Sequence, residues 1–187
     1  WPCPTLDHPG TPYLYKDNQF DTPTGKGQLF AAPWRAPAEI PDADYPLVLC
    51  TVREVGHYSC RSMTGNCAAL QSLADEPGRV QINPADADER GIAEGQLVWV
   101  RSRRGKVITR ASISERINAG AIYMTYQWWI GACNELTQDN LDPISRTPET
   151  KYCAVQLEAI EDQRWAEDFA ASAYQTMKTR LIAAVNV

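Results

Sequence analysis

The chain has 187 residues, of which 44% are hydrophobic and 22% are charged, and its formal net charge is -5 at pH 7. These values suit one main folded domain and exclude a disordered chain. No apolar run in the sequence approaches the roughly 18 to 20 residues that a membrane-spanning helix needs. The acidic balance argues against general nucleic-acid binding, which depends on clustered Lys and Arg. Any anion that the protein binds must therefore be held by a local group of basic residues.

The start of the chain and its cysteines indicate where the protein works. The opening "WPCPTLDHPG" has neither the basic start nor the apolar core of a secretion signal, so we expect a piece of a longer polypeptide. The six cysteines, at positions 3, 50, 60, 67, 133 and 153, form no C-x-x-C pair. Because zinc and iron–sulfur sites use clustered thiolates, we predict no metal site in this chain. We expect reduced, mostly buried thiols and a cytoplasmic location.

Residues 1–44 are predicted to be an irregular, Pro-rich connector from a preceding domain. Eight of the 13 prolines lie within the first 45 residues, and turn residues separate "HPGTPYLY" from "TPTGKGQLF". Proline cannot donate a backbone hydrogen bond, so regular structure should be sparse there.

Residues 45–160 are predicted to form the main domain, which begins with the buried strand "YPLVLCTV". A short helix is predicted in "NCAALQSLADEPG", with Asn66 as its N-cap. The segment "RVQI" then alternates like a strand. It is followed by a helix of two turns that Asn83 caps, Pro84 begins and Gly91 ends.

Four further strands are predicted in "LVWV", "VITRASI", "GAIYMTY" and "KYCAVQLEAI", with a turn at "SRRGK" between the first two. About six short strands with two small helices indicate a compact, mainly β barrel or sandwich rather than a parallel α/β sheet. The basic "RSRRGK" run is expected to be a solvated hairpin turn and not a nucleic-acid site.

The tail, residues 161–187, differs from the rest of the chain. Apolar residues recur there at four-residue spacing, from Trp165 through Phe169, Ala173 and Met177 to Leu181. This spacing predicts one amphipathic helix over residues 162–184. We expect the helix to pack on its own barrel or on another part of the longer polypeptide.

The loop "TVREVGHYSCRSMTGN", residues 51–66, concentrates polar side chains directly after the first strand. Arg53 offers a planar fork of donors, and His57 and Ser59 can donate to the same oxyanion, so the set fits phosphate better than a metal. Glu54 has two roles open to it: it can accept hydrogen atoms from the N–H edge of a heterocycle, or it can orient Arg53.

The loop also allows two other interpretations, a catalytic Cys–His pair and a protein-binding surface. Cys60 lies three residues from His57, but proximity in one loop does not establish a nucleophile with its base, and we predict no catalytic residue in the chain. The alternative from another functional class is a β-barrel protein-interaction module without a cofactor. In that case the loop would contact a protein partner and the C-terminal helix would dock it.

Residues 45–160 resemble the C-terminal domain of molybdenum-dependent formate dehydrogenases, within the dimethyl sulfoxide reductase family. The resemblance depends on three stretches in the same order: "TVREVGHYSCRSMTGN", "INPADADERGIAEGQLVWVRSRRGKVITRASI" and "GAIYMTYQWWIGACNELTQDNLDPISRTPETKYCAV". It implies a double-psi β-barrel of the aspartate decarboxylase-like type. It also implies that this barrel holds part of a molybdopterin guanine dinucleotide cofactor with Mo or W.

Carried over by position, the resemblance implies a set of cofactor contacts through the phosphates and the pterin edge. These residues are Arg53, Glu54, His57, Ser59, Tyr126, Asn134 and Lys151. The [4Fe-4S] motif and the metal-bound Cys or selenocysteine of the family lie upstream, outside this chain, so the chain alone should be catalytically silent. The implied partners are the remaining domains of the catalytic subunit and any electron-transfer subunits, with no nucleic acid and no direct membrane contact.

Overall fold

The computed structural model describes residues 2–31, 33–74 and 76–185. The chain divides into two units, residues 1–36 and residues 37–187. The described part of the first unit contains turns and bends and neither a helix nor a strand, as its prolines predict. Within this unit the rings of Tyr15 and Phe20 stack with their centroids 4.9 Å apart, and the Thr11 hydroxyl donates to the Pro2 carbonyl.

The second unit contains a closed barrel, formed by six strands of the described residues. The strands are β1 (Leu47–Val52), β2 (Arg79–Ile82), β3 (Leu97–Arg101), β4 (Lys106–Ile113), β5 (Ala121–Thr125) and β6 (Tyr152–Ala159). Their order around the barrel is β1-β5-β2-β4-β3-β6. The pairs β1/β5 and β2/β4 are parallel and the other neighbours are antiparallel. The prediction of a mainly β barrel is confirmed.

Short helices connect the strands. They are α1 (Ala68–Gln71) and α2 (Pro84–Glu89), with 3₁₀ helices at Thr64–Asn66 and Cys133–Glu135. The predicted cap of α2 is confirmed, because the Asn83 side chain accepts a hydrogen bond of 2.9 Å from the Ala85 amide and Pro84 takes the first turn. The predicted cap of α1 is wrong: Cys67 is the N-cap, and the Asn66 amide instead donates to the Ser62 carbonyl.

Apolar side chains from alternate positions of the strands fill the barrel. In β1 the pattern is strict, with Leu47 and Leu49 buried and Val48 and Cys50 partly exposed. The same inward pattern brings Val80 and Ile82 of β2, Val98 and Val100 of β3, and Ile122 and Met124 of β5 into one cluster. Burial of apolar area at about 25 cal/mol per Å² makes this cluster the main source of stability.

The predicted C-terminal helix is present as α3 (Gln163–Val185) and packs on the outside of the barrel. Ala166 and Ala170 are buried against Leu97 and Ile108. The larger residues of the predicted stripe flank this contact, since Trp165 and Phe169 remain 46% and 38% exposed. No helix of the described residues is long and apolar enough to cross a membrane.

Within the second unit, residues 37–46 precede β1 and are held to the barrel through Glu39. Its carboxylate pairs with both terminal nitrogens of Arg104, at 2.8 and 2.9 Å, and accepts a 2.6 Å hydrogen bond from the Ala154 amide. Burial raises the pKa of Glu39, but these hydrogen bonds and the nearby arginines outweigh it and leave the pKa below its ordinary value.

All six cysteines lie within the described ranges and all are free thiols. The expectation of mostly buried thiols is wrong, because only Cys133 and Cys153 are buried. Cys3, Cys60 and Cys67 are exposed and Cys50 is intermediate. The exposed thiols lie in the irregular first unit and in the loop region after β1, where no core covers them.

Candidate functional site

Three of the predicted site residues meet because of the strand topology. Arg53 directly follows β1, Tyr126 directly follows β5 and Lys151 directly precedes β6. Strand β1 runs parallel to β5 and antiparallel to β6. The end of β1, the end of β5 and the start of β6 therefore lie together at one end of the barrel.

Direct contacts join these three residues to Ser59 in a group that we term the Arg53 cluster (Arg53, Ser59, Tyr126 and Lys151). The Arg53 Nε donates to the Tyr126 hydroxyl at 3.0 Å. The Lys151 ammonium lies 5.4 Å from the centre of the Tyr126 ring and donates to the carbonyl of Thr51, which is in β1. A hydrogen bond with Ser59, followed by the hydrogen bond and charge of Arg53 and the charge of Lys151, lowers the pKa of Tyr126.

A polar pocket of about 350 Å³ adjoins the cluster on the outer wall of the barrel. Arg53, Glu54 and Val55 of the loop line one side of it. The other lining residues, from the strands, are Val52, Arg79, Gln81, Ser112, Tyr123 and Thr125. Arg79 of β2 is exposed and lines the same pocket as Arg53. The pocket therefore has two guanidinium groups.

Glu54 is the acceptor of this site. Its carboxylate lies 3.4 Å from the Gln127 amide nitrogen, and burial raises its pKa against the opposing effects of Arg79, His57 and a hydrogen bond with Thr125. The hydrogen bond that orients Arg53 goes to Tyr126 rather than to Glu54. Its predicted acceptance of hydrogen atoms from a heterocycle stays a prediction.

His57 occupies a different environment from the one that its loop position suggests. The ring is 7% exposed, with Nδ1 3.1 Å from the Thr64 hydroxyl and Nε2 3.0 Å from the Ala74 carbonyl oxygen. Both nitrogens are thus engaged within the protein. The structure gives the ring an anchoring contact to the loop, and its predicted contact with a cofactor stays a prediction.

Asn134 lies on the 3₁₀ helix Cys133–Glu135, where it is exposed. Its carbonyl accepts a hydrogen bond from the Thr137 hydroxyl. The preceding Cys133 is buried, and burial raises the pKa of its thiol to about 12 against the charge of Lys151. Asn134 is therefore adjacent in sequence to a thiol whose pKa is influenced by the charge of Lys151. The hydrogen bond to the Tyr126 hydroxyl comes from Arg53.

Sequence reasoning missed the residues beneath the loop. Arg61 is part of the loop but was not predicted as a site residue. Its side chain is turned into the protein, where it forms a buried ion pair with Glu76. Trp128 packs beneath the loop at 4.5 Å from the Arg61 guanidinium. The second arginine of the loop was one signal, and Trp128 lies in the "TYQWW" part of the third stretch that carries the resemblance, but no motif marks Glu76.

The donor set fits an anionic group attached to a heterocycle. Arg53, Lys151 and Arg79 supply positive charge, and the Ser59 and Tyr126 hydroxyls supply further hydrogen bonds, which is the combination that phosphate oxygens need. Glu54 adds an acceptor for ring N–H groups. Among the described residues, no group of three or more His, Cys, Asp or Glu side chains could hold a metal ion.

Comparison with known proteins gives several matches to this chain. Residues 47–154 match the molydopterin dinucleotide binding domain family. The chain is 62% identical over 183 residues to formate dehydrogenase H of Escherichia coli, covering 97% of this chain and 26% of that protein. It is 41% identical over 160 residues to the F420-dependent formate dehydrogenase subunit alpha of Methanocaldococcus jannaschii, covering 86% of this chain and 24% of that protein.

More distant relatives have other names. The chain is 34% identical over 171 residues to the periplasmic nitrate reductase of Desulfovibrio desulfuricans, covering 84% of this chain and 22% of that protein. Acetylene hydratase from Pelobacter acetylenicus has the same fold, with a TM-score of 0.61 at 18% identity over 76% of this chain and 25% of that chain. The chain thus spans about a quarter of the length of the relatives that it matches.

Proposed function

Because the chain belongs to the molydopterin dinucleotide binding domain family, we propose that it forms one wall of the cofactor site in a formate dehydrogenase catalytic subunit. The observation that carries the proposal is the Arg53 cluster, in which two cations and two hydroxyls from three strand ends and one loop converge. The names of the two relatives at 62% and 41% identity support formate as the substrate of the whole enzyme.

The cofactor is proposed to be molybdopterin guanine dinucleotide carrying Mo or W, and when bound it supplies the two-electron chemistry that converts formate to carbon dioxide. The residues of this chain bind and orient it. Arg53, Lys151 and Ser59 hold phosphate or pterin oxygens, and Tyr126 fixes the direction of the Arg53 side chain. Glu54 accepts N–H groups of the heterocycle.

The rest of the proposed enzyme lies outside this chain. The [4Fe-4S] cluster and the metal-bound Cys or selenocysteine belong to other domains of the same polypeptide, and electron-transfer subunits are proposed as further partners. The lengths of the relatives, about four times that of this chain, support a multidomain subunit. The six free thiols support a cytoplasmic enzyme.

The test uses the complete catalytic subunit with Arg53→Ala and Lys151→Ala, and Lys106→Ala as the matched control. Lys106 is an exposed lysine whose ammonium lies 4.4 Å from the centre of the Trp99 ring, and it is not a member of the Arg53 cluster. After gel filtration, guanine nucleotide and molybdenum or tungsten are measured for each polypeptide. We expect the cluster variants to retain several-fold less cofactor and the control to retain the wild-type amount. Full retention in both cluster variants would refute the proposed site.

A further inference from the structure

A buried ion pair joins the loop of residues 51–66, which contains Arg53 and Ser59, to Glu76. Arg61 Nη2 is 2.6 Å from Glu76 Oε1, and the two side chains are only 6% and 4% exposed. The Arg61 Nε also donates to the carbonyl of Gln127 at 2.9 Å. A removal of two charges from water is costly, and buried pairs often contribute little net stability. The presence of this ion pair is therefore better explained by the segments that it holds in position than by a contribution to the stability of the fold.

The Glu76 carboxylate fixes the segment that follows Tyr126. Its Oε1 accepts the Trp129 amide at 2.8 Å and its Oε2 accepts the Ile130 amide at 2.9 Å. Charge-assisted hydrogen bonds of this kind are stronger and more directional than neutral ones. One carboxylate thus binds the loop through Arg61 and the segment 127–130 through two backbone amides.

The Trp128 ring contacts both the loop of residues 51–66 and the residues that precede β2. The Arg61 guanidinium lies 4.5 Å above its ring, and the His57 ring contacts it edge-on with centroids 5.6 Å apart. On another side the ring approaches Gly78 so closely that a Cβ there would clash with it. A change at Trp128 or in the ion pair would therefore be felt by the loop and by the strand end together.

The two hydroxyls of the Arg53 cluster lie beside these anchors. Ser59 is between His57 and Arg61, and its backbone φ of +46° and that of Arg61, +62°, are in the left-handed region that non-glycine residues seldom adopt. Such conformations persist only where the surroundings determine them. Tyr126 is adjacent to Gln127, whose carbonyl binds Arg61.

We propose that Arg61 and Glu76 are a positioning pair, which sets the distance between Ser59 on the loop and Tyr126 at the end of β5 so that both reach one cofactor. The inference rests on the proposed cofactor function. Neither side chain of the pair touches the cofactor, and both act through the backbone of the residues that do. The pair thus determines affinity for the cofactor more strongly than it determines stability of the fold.

The test uses the complete catalytic subunit with Arg61→Lys and Glu76→Gln. Lysine keeps a cation beside Glu76 but lacks the planar fork with which Nε and Nη2 of Arg61 hold Gln127 and Glu76 in a fixed geometry. Glutamine keeps the shape of the carboxylate while removing its charge. The matched control is Arg90→Met, which breaks another largely buried pair, with Asp86 at 3.7 Å. Arg90 follows α2 at the opposite end of the barrel.

Cofactor content, melting temperature and hydrogen exchange of the backbone amides are measured on each variant. We expect Arg61→Lys and Glu76→Gln to weaken cofactor retention by about 10- to 100-fold, the range that loss of a supporting hydrogen bond causes at metal sites. Exchange should accelerate in residues 56–66 and 126–130 and stay unchanged in α2. Arg90→Met should lower the melting temperature and retain the cofactor.

Two results would overturn the positioning role. One is wild-type retention in a folded Arg61→Lys protein, which decides the question if Glu76→Gln does not fold. The other is equal loss of cofactor in Arg90→Met at the same melting temperature, since retention would then follow global stability. Loss of cofactor in Arg53→Ala together with full retention in Arg61→Lys would reject the pair and leave the proposed function standing. Full retention in Arg53→Ala, Lys151→Ala and Arg61→Lys would reject both proposals.

Discussion

Arg53 and Tyr126 are 73 positions apart in the sequence, and the Nε of the first donates to the hydroxyl of the second at 3.0 Å. The contact exists because parallel strands β1 and β5 end side by side, with Val52 opposite Thr125. This hydrogen bond links the polar loop to the end of β5 and fixes the orientation of the Arg53 guanidinium. The orientation of the proposed phosphate-binding arginine therefore depends on a phenol.

Tyr126→Phe tests that dependence in the complete catalytic subunit. The variant keeps the ring beneath Lys151 but removes the oxygen that Arg53 and Ser59 contact. We expect cofactor retention to fall about tenfold, the effect of losing one hydrogen bond to a charged group. Tyr45→Phe is the control, because Tyr45 precedes β1 at the other end of that strand. A Tyr126→Phe protein that keeps its full cofactor content would contradict the assignment.

His57→Ala and Arg53→Ala should separate anchoring from binding. His57 is buried with both nitrogens engaged, so its removal should lower the free energy of unfolding by about 2 kcal/mol. Arg53 is exposed, and its removal should change that free energy by less than about 0.5 kcal/mol. Urea denaturation of the 187-residue chain measures both values. Equal stability of the two variants would mean that His57 does not anchor the loop.

Glu54→Gln should stabilise the chain near neutral pH. Burial raises the pKa of Glu54 above its ordinary value of 4.5, so protonation is easier in the folded state than in the unfolded one. The favourable contribution of the protonated carboxyl is complete below the unfolded pKa and is lost as pH rises through the folded pKa. The charged form therefore opposes folding at pH 7.

Thermal unfolding of wild type and Glu54→Gln between pH 4 and pH 8 checks the sign. The variant should melt at a higher temperature at pH 7, and the difference should shrink as pH falls toward 4.5. Glu158→Gln serves as the control, because Glu158 pairs with Arg101 on the surface. A Glu54→Gln protein that is less stable than wild type at pH 7 would show that its ionised carboxylate favours the fold.

Gly131→Ala should destabilise the barrel by steric overlap. A Cβ at this position would clash with the carbonyl oxygen of Pro77, which is backbone and cannot rotate away. We expect a loss of about 1 to 3 kcal/mol in the free energy of unfolding, the usual cost of overpacking. Gly105→Ala is the control, since no described heavy atom lies within 4 Å of a Cβ built there. Chemical denaturation of both variants compares the two sites.

Ala166→Glu should detach the first turns of α3 from the barrel. Ala166 is completely buried against the outer cluster around Leu97 and Ile108, and an unpaired carboxylate there would cost about 3 kcal/mol. Detachment would expose Trp99 and Trp165, which is measured as a red shift of tryptophan fluorescence. Ala171→Glu, on the exposed side of the same helix, should leave the spectrum unchanged. Equal spectra for both variants would contradict this packing.

Local patterns determined the regular elements of the second unit. The short apolar run "YPLVLCTV" appears in the structure as a strand, the Asn83-Pro84 cap as a capped helix, and the four-residue spacing from Trp165 as a long helix. These signals are local because they depend on which face of one element is buried and on backbone groups a few residues apart. The loop of residues 51–66 was likewise marked as a polar site by its own composition.

Tertiary structure decided which residues of that loop face outward. His57 and Arg61 have the chemistry of anion ligands, yet Ala74, Glu76 and Trp128 engage them from segments that only the barrel brings together. Arg53 stays available because its contact with Tyr126 uses Nε, and among the described residues its terminal nitrogens make no hydrogen bond. A sequence specifies donors and charges, but whether a donor is satisfied depends on partners far along the chain, and those are set by strand order and register.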